Sequence, residues 1–568
     1  VSPVSTRKAR AQANTANKPS SLDDLKYLTR PDLWAVNMDL KVDGKPFDLE
    51  GREYVIQVIR DYSPEIVIPK AAQMAFTVTF LTKSLHNVIV RKLNGLYLLP
   101  LKTGAIPFVQ ARIDPIIESN PLLSQNFASV DNRLHKQTVN GVNLYIRGTN
   151  ILRELQEVPV DFEMWDERDH MVEENLSDAK HRMDGSKYKR LVILGTPTVD
   201  GYGVYGDDAW DYSDQHRWEI PCPGCGRFQV LNFNDPALNY SNLKLGDTAD
   251  ECVLECAFCK REISDLERPA LNKYGRWTAH SLDGKIRGYH INQFNSPTQP
   301  LREIMVDYFK GFRDVRKVRS FWNQNMGKPY TAAGDRITPE LLDKCRQPGY
   351  IMGGLPNSSV SVGIDVGTVI HCWCWHFDAH KRKMLWNIKQ FTSWDSLDKF
   401  LNSLSSWTGV IDAHPEKSKS FDLALKYHGR LWIGFSDDRP QAHEVANFST
   451  LKMGEPGYVT IDKTMALDGV IRDMIDGNVI LPPDARDLGD QMKSKPYGGL
   501  YHQLTQMVRV EEENTRGQVI ARWRKNRNAD HWHHAAMFAS VAAIQSPQLA
   551  IPHSLAAAMN RTNIFQEV

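Results

Sequence analysis

Two Cys-x-x-Cys turns, Cys222 to Cys225 in "IPCPGCGRF" and Cys256 to Cys259 in "LECAFCKREI", constrain this chain more than any other feature. Each turn offers two thiolates at tetrahedral spacing, and the two together read as a four-cysteine zinc ribbon. Gly226 and Lys260 follow the second cysteine of each pair, where a knuckle curls its backbone amides toward sulfur. The span between the pairs is a β-excursion that returns the chain, with "NDPALNYSNLKLGDTADE" as an inserted loop. The alternative is four buried unligated thiols. Cys252 is a spare, and Cys345, Cys372 and Cys374 read as small core residues. A ribbon can bind DNA, bind protein or hold a small subdomain together, so function must come from elsewhere in the chain.

With 568 residues the chain exceeds one hydrophobic core, and two to four domains are expected. A net charge of +1 means that nucleic-acid binding has to come from local patches rather than a global field. No signal peptide and no apolar run long enough to cross a bilayer is present, which predicts an intracellular protein with no membrane partner. Val1 to Ser21, with "RKAR" at Arg7 to Arg10, reads as a disordered basic arm, and Ser546 to Val568 as a tail.

The stretch "IPKAAQMAFTVTF" has the order of a phosphate loop without its glycines. An apolar run, Ile66 to Ile68, leads into Lys70, with Thr77 seven residues on, yet no glycine occurs between Gly51 and Gly95. Bare backbone normally approaches the phosphates at such a turn. An amphipathic helix through Ala72, Phe76 and Phe80 is the competing reading, although a phosphate loop runs into a helix in any case. Downstream, "VDFEMWDERDH" sets Asp166 and Glu167 after an alternating apolar stretch. An ATPase needs one carboxylate for Mg²⁺ and a neighbour to orient the attacking water. Asp161 and Glu163 are unusual for a central parallel strand. The strand "RLVIL" then ends in Gly195-Thr196-Pro197, where a translocating ATPase senses the γ-phosphate. The order of Lys70, Asp-Glu and strand-Gly-Thr favours an ATPase.

A second acidic constellation follows. "SVSVGIDVGTVIHCWCWHF" reads as a β-hairpin with Asp365 in mid-strand and Gly367-Thr368 at the turn, and Asp412 ends the short strand "WTGVID". A buried strand aspartate is costly unless it binds metal. "NADHWHHAAMFASVAA" opens a helix at Asp530 with His531, His533 and His534 close by. Carboxylates from a first strand, a fourth strand and a late helix are how an RNase H-like fold gathers two divalent ions for phosphodiester cleavage, and oxygen ligands favour Mg²⁺ or Mn²⁺. "RWRKNR", with Arg522, Arg524, Lys525 and Arg527, is placed to bind phosphate.

This ensemble resembles the large terminase subunit of tailed bacteriophages, specifically the lambda-like family. The resemblance runs from about Tyr27 to Ile544 through "FDLEGREYVIQVIRD", "IPKAAQMAFT", "ARIDPIIESNPLL", "DERDH", "GTPT", "IPCPGCG", "CAFCKREI", "GRW", "GYHINQFNSP", "FWNQNMGKPY", "VGIDVG" and "DKT". It implies a motor that uses ATP to pump double-stranded DNA into a procapsid, fused to an endonuclease that cuts concatemeric DNA. It further implies the portal protein and the small terminase subunit as partners, a homo-oligomeric ring at the portal, and a host-cytoplasm setting. By that similarity Lys70, Gln73 and Thr77 fall on the phosphate loop, Asp166 and Glu167 on the Mg²⁺/water pair, and Thr196 on the coupling motif. Asp365, Asp412 and the Asp530 to His534 segment fall on the nuclease centre, and Lys463 in "IDKTMALDG" on a family lysine read as a phosphate contact.

Two positions depart from the family pattern. Ala75 stands where glycine is usual, so the loop is a variant one. His534 stands where an aspartate is usual, which leaves Asp530 or His534 as third nuclease ligand and His531 or His533 as general base. The expected architecture is a multi-domain α/β protein. A basic arm (1–26) precedes a P-loop, ASCE-type ATPase core (27–215) with an inserted zinc ribbon (216–275). ATPase completion and a linker (276–350), an RNase H-like nuclease (351–545) and a tail (546–568) follow. The alternatives are a packaging-motor or DNA-docking subunit with one activity weakened or lost, and a zinc-bearing RNase H-fold transposase.

Overall fold

The structure, a computed structural model, describes residues 27–545 apart from 43, 129–131, 207–208, 236, 312–314, 332–333, 354–358, 438–443, 490–498, 514–518 and 526–528. The expected arm (1–26), the tail (546–568) and Arg527 lie outside the described residues. The chain divides into two compact units, Val1–Tyr330 and Thr331–Val568.

The first unit is built on a twisted sheet whose strands follow in chain order. They are β1 (Glu65–Pro69), β2 (Gly95–Leu99), β3 (His135–Gln137), β4 (Asn143–Gly148), β5 (Phe162–Trp165), β6 (Arg190–Gly195), β7 (His216–Pro221), β8 (Phe228–Val230), β11 (Arg276–Ala279) and β12 (Arg287–His290). In space the order is β8-β7-β12-β1-β6-β5-β2-β4-β3, with β11 also on β7. The neighbours from β7 through β12, β1, β6, β5 and β2 to β4 are all parallel. Alternation of side chains sorts the strands onto two cores. Ile66, Ile68, Tyr97, Met164, Val192 and Leu194 pack with helix α1 (Phe76–Ile89) on one face, while Val67, Leu96, Leu98, Trp165, Leu191 and Ile193 pack on the other. With both faces covered, these strands read as continuous apolar runs.

The two acidic residues that sat oddly in that pattern have specific partners. Asp161 accepts hydrogen bonds from the Asn94 amide and the Ser186 hydroxyl. Glu163 is fully buried and accepts from Trp165 Nε1 at 2.7 Å, and burial pushes its carboxyl up to about 7.

The cysteine-bearing segment, expected as a 216–275 insertion, is continuous with the main sheet. β7 hydrogen-bonds in parallel to β12, β11 pairs antiparallel with β7, and Trp218, Ile220, Leu231 and Trp277 share the core that holds Ile66 and Phe76. Between the cysteine pairs, β9 (Leu243–Lys244), inside the expected loop, forms a short antiparallel ladder with β10 (Val253–Leu254), just after it.

The second unit begins ahead of the expected linker end at 350. Helix α2 (Pro339–Cys345) belongs to it because Ile337, Leu342 and Cys345 lie in one core with Leu467, Val470 and Met474. Its sheet uses β13 (Val360–Asp365), β14 (Ile370–Phe377), β15 (Lys383–Phe391), β16 (Trp407–Asp412), β17 (Leu431–Asp437), β18 (Ala446–Phe448), β19 (Gly457–Asp462) and β20 (Val479–Ile480). The spatial order is β18-β19-β17-β16-β13-β14-β15-β20. β13, β14 and β15 are antiparallel neighbours, whereas β13, β16, β17 and β19 run parallel. Helices α3 (Trp394–Ser403), α4 (Lys417–Lys426) and α5 (Lys463–Ile475) and a hairpin of β21 (Met507–Glu513) and β22 (Val519–Lys525) surround it.

The last helix, α6 (His531–Ala543), packs on β13 almost backbone to backbone. A Cβ at Gly363 would lie 2.0 Å from the Ala535 carbonyl and 2.2 Å from the Ala539 amide. Alanines 535, 536, 539 and 542 on the helix and Gly363 on the strand make that approach possible, and it sets residues 530–534 beside the C-terminal end of β13.

Candidate functional site

Because β1, β5 and β6 are parallel neighbours, the residues that follow them emerge at one edge of the sheet. In open α/β sheets that carboxyl edge is where ligands bind. Lys70 follows β1, Asp166 and Glu167 follow β5, and Thr196 follows β6. The Lys70 ammonium, 7% exposed, stands 3.7 Å from Glu167 Oε1. The Lys70 amide donates to the Gly195 carbonyl at 3.0 Å, so the residue before Thr196 is tied directly to the lysine backbone.

Asp166 is buried. The Tyr97 hydroxyl donates to its Oδ2 at 2.7 Å, and the Thr77 hydroxyl also bonds its carboxylate. Burial raises its carboxyl above the usual range, with the Lys70 charge opposing. Glu167 takes a left-handed backbone, φ 60° and ψ 49°, which turns the chain sharply away from the strand. Gln73 and Ala75 are left-handed too, with φ of 59° and 65°, and Ala75 caps α1. The turn thus has the backbone shape that glycine provides elsewhere, achieved with two L-residues. Ala72 lies ahead of the helix, so a helix running through Ala72, Phe76 and Phe80 is not what forms.

Asp169, which sequence reasoning did not single out, anchors the turn that follows. Its buried carboxylate accepts from the Thr198 amide (2.8 Å) and hydroxyl (2.9 Å) and from the Val204 amide (2.9 Å). Gly203 is required there, since a Cβ would meet the Asp169 carboxyl at 2.2 Å. The only signal was its place inside "DERDH".

The four cysteines of the paired turns converge, with all their sulfurs within 4.8 Å of one another. Cys222 and Cys259 Sγ are 3.6 Å apart and Cys225 and Cys256 Sγ 3.8 Å, close to the edge of a tetrahedron with metal–sulfur bonds of about 2.3 Å. The Gly224 and Phe258 amides donate to Cys222 and Cys256 Sγ. Against the effect of burial, backbone amides bring the Cys256 thiol down to about 6. Cys252 stands outside the cluster, its Sγ on the Thr248 carbonyl. These four residues fit a tetrahedral zinc ion.

In the second unit Asp365 terminates β13 rather than sitting mid-strand, because the pairing with β14 ends at Asp365–His371. The His531 imidazole holds it through Nδ1 at 2.8 Å, and His534 Nδ1 lies 3.5 Å from its other oxygen. Despite complete burial these imidazoles hold the Asp365 carboxyl well below the usual range. Asp412, at the end of β16, is raised to about 6 by burial and by the charge of Asp365. Asp530 caps α6, within 3.5 Å of His534 Nε2 and 3.1 Å of Lys525 Nζ. His534 therefore lies between the two carboxylates, with Nδ1 3.5 Å from Asp365 and Nε2 3.5 Å from Asp530. His531 stacks on buried His371 at 4.6 Å, and Gln390 donates to His371 Nε2. His533 is buried with its ring 5.6 Å from Trp523, and burial lowers its imidazole to about 3.

The basic residues divide. Arg522, Arg524 and Lys525 lie on β22, and Lys463 opens α5. Lys525 is engaged with Asp530. No described helix is long and apolar enough to cross a membrane.

Residues 53–277 match the family model described as phage terminase large subunit gpA, ATPase domain. Over these residues the chain is similar to a terminase large-subunit ATPase domain. Curated relatives include the terminase large subunit of Enterobacteria phage P21, 24% identical over 305 residues and covering 48% of this chain and 47% of that one. The terminase large subunit of Escherichia phage lambda is 24% identical over 312 residues, 50% of this chain and 49% of that one. The chain thus spans about half the length of the curated relatives it matches. Among solved structures, the large terminase of bacteriophage HK97 aligns over 91% of this chain and 99% of that one, at 11% identity and a TM-score of 0.48.

Proposed function

We propose that the chain is the motor subunit of a phage DNA-packaging machine, hydrolysing ATP to drive double-stranded DNA into a procapsid and cutting concatemeric DNA with a metal-dependent nuclease. One observation carries the ATPase half: Lys70 and Glu167 face each other at 3.7 Å over buried Asp166, at the carboxyl edge of a parallel sheet. β6 lies between the loop strand β1 and the carboxylate strand β5, the arrangement of ASCE-type ATPases. In this reading Lys70, Gln73 and Thr77 take the phosphates, Asp166 holds Mg²⁺, Glu167 orients water and Thr196 senses the γ-phosphate. The left-handed residues in the loop are the conformation with which backbone amides form an anion-binding concavity.

The nuclease half rests on the second sheet. Its core order of third, second, first, fourth and fifth strands, antiparallel then parallel, is that of an RNase H-like fold. Asp365 at the end of the first strand lies 3.5 Å from His534 of the last helix, which is 3.5 Å from Asp530. Asp412 at the end of the fourth strand is near enough for the Asp365 charge to raise its carboxyl. Two divalent ions held there would stabilise the charge of an in-line displacement. The four cysteines would hold a structural zinc at the edge of the ATPase sheet. Lys463, Arg522, Arg524 and Arg527 are proposed DNA contacts. The portal, the small terminase subunit and a ring of copies are the partners that go with this role.

ATP hydrolysis measured with and without double-stranded DNA tests the reading. Stimulation by DNA supports it. A protein that hydrolyses no ATP in either condition overturns the motor assignment.

A further inference from the structure

We infer that Gln293 and Asn325 form a brace that holds the glycine-free phosphate loop in shape, making Gln293 a positioning residue for nucleotide binding. The inference rests on the phosphate-loop reading above. The loop has a conformational problem of its own making. Gln73 and Ala75 hold φ of 59° and 65°, a region that L-residues other than Asn and Asp enter only at a cost. Left to itself such a turn relaxes, and its amides lose the concavity an anion needs.

Two segments from the far end of the unit oppose that relaxation. The Ala71 amide donates to the Ile291 carbonyl (3.0 Å) and the Ala72 amide to the Gln324 carbonyl (2.8 Å). Gln293 Nε2 donates to the Ala72 carbonyl at 3.0 Å, while its Oε1 accepts from Asn325 Nδ2 at 2.7 Å. Gln299 Nε2 reaches Gln73 Oε1 at 3.3 Å. Gln293, 5% exposed, is thus spent at both ends: one on the loop, one on the segment that also holds the Ala72 amide. Gly327 shows how closely this segment presses on the loop, since a Cβ there would lie 2.6 Å from the Ala71 amide.

Two backbone carbonyls and the Gln293 side chain, all from outside the loop, therefore hold it at Ala71 and Ala72, where it enters the left-handed turn. A loop with glycine at 75 needs the brace less, so the two positions are energetically coupled. That coupling distinguishes positioning from general packing.

The test is a double-mutant cycle on the full chain, read as MgATP affinity with a fluorescent nucleotide analogue and as the KM-against-kcat split. Gln293→Ala should weaken binding roughly three- to tenfold, the worth of one or two lost hydrogen bonds, with KM rising and kcat little changed. Gln293→Glu keeps the acceptor for Asn325 but cannot donate to Ala72, and should bind as weakly as Gln293→Ala. In an Ala75→Gly background the same changes should cost at most about twofold, while the loss in thermal stability stays equal in the two backgrounds. Equal losses of affinity in both backgrounds, or undiminished affinity in Gln293→Glu, overturn the brace and leave the nucleotide site standing. A parent protein that binds no MgATP overturns the site itself, and the brace with it.

Discussion

His534 Nδ1 stands 3.5 Å from Asp365 Oδ1, placing an imidazole where carboxylates alone would serve a hard divalent ion. Its Nε2 is 3.5 Å from Asp530, so the histidine bridges a strand carboxylate and a helix-cap carboxylate. Nitrogen is a poor ligand for Mg²⁺ and an acceptable one for Mn²⁺. Asp365→Ala and Asp530→Ala should each lower DNA cleavage by at least about a hundredfold in either metal while ATP hydrolysis persists. His534→Asp should raise the ratio of Mg²⁺- to Mn²⁺-supported cleavage, measured on plasmid DNA. Undiminished cleavage by Asp365→Ala would remove the nuclease centre from this unit.

Asp412 gives the site a pH dependence. Burial and the Asp365 charge raise its carboxyl from 3.8 to about 6, with His414 and His534 opposing. The fold keeps this proton while the unfolded chain has already lost it. Stability from Asp412 is therefore full below 3.8 and is lost as pH rises through about 6. Asp412→Asn should be more stable than the parent at neutral pH, with the gap closing toward pH 4, as followed by denaturant titration. Calorimetry should show parent affinity for Mn²⁺ rising with pH through about 6, where the carboxylate ionises; a flat profile contradicts the assignment.

Cys222, Cys225, Cys256 and Cys259 should bind one equivalent of zinc. Because β7 and β11 belong to the main sheet, Cys→Ser at any of the four should destabilise the whole first unit rather than melt a separate module. Cys252→Ser should keep its zinc. Freshly purified protein without zinc by elemental analysis would refute the site.

Ala75→Gly relieves a left-handed alanine and should stabilise the first unit by about 1 kcal/mol, offset in part by the added freedom of glycine in the unfolded chain. Nucleotide affinity should hold or rise. A lower melting temperature would show that Ala75 is not strained.

What could be read beforehand followed from how locally each signal is written. Lys70, Asp166 and Thr196 each close an apolar run, and a parallel sheet brings such ends together whatever their separation in sequence. The cysteines carry their own spacing. Asp365 was legible as a buried strand acid, but its place at the strand end depends on where pairing with β14 stops. Gln293, Asn325 and Asp169 left no comparable mark: they act by hydrogen bonds across the fold and sit in helical turns too short to show a periodicity. The attachment of β7 to β12 was hidden for the same reason, since strand partners far apart in sequence leave no local pattern. His531, His533 and His534 looked alike until helix packing turned two toward Asp365 and buried the third against Trp523.

Lys70 and Glu167 carry the central claim, and separating nucleotide binding from turnover tests it most directly. Glu167→Gln should bind MgATP like the parent yet hydrolyse it roughly 10²- to 10⁴-fold more slowly, the loss of a positioned base. Lys70→Ala should lose binding and turnover together. Single-turnover hydrolysis at parental rate in Glu167→Gln, or parental MgATP affinity in Lys70→Ala, would contradict the account.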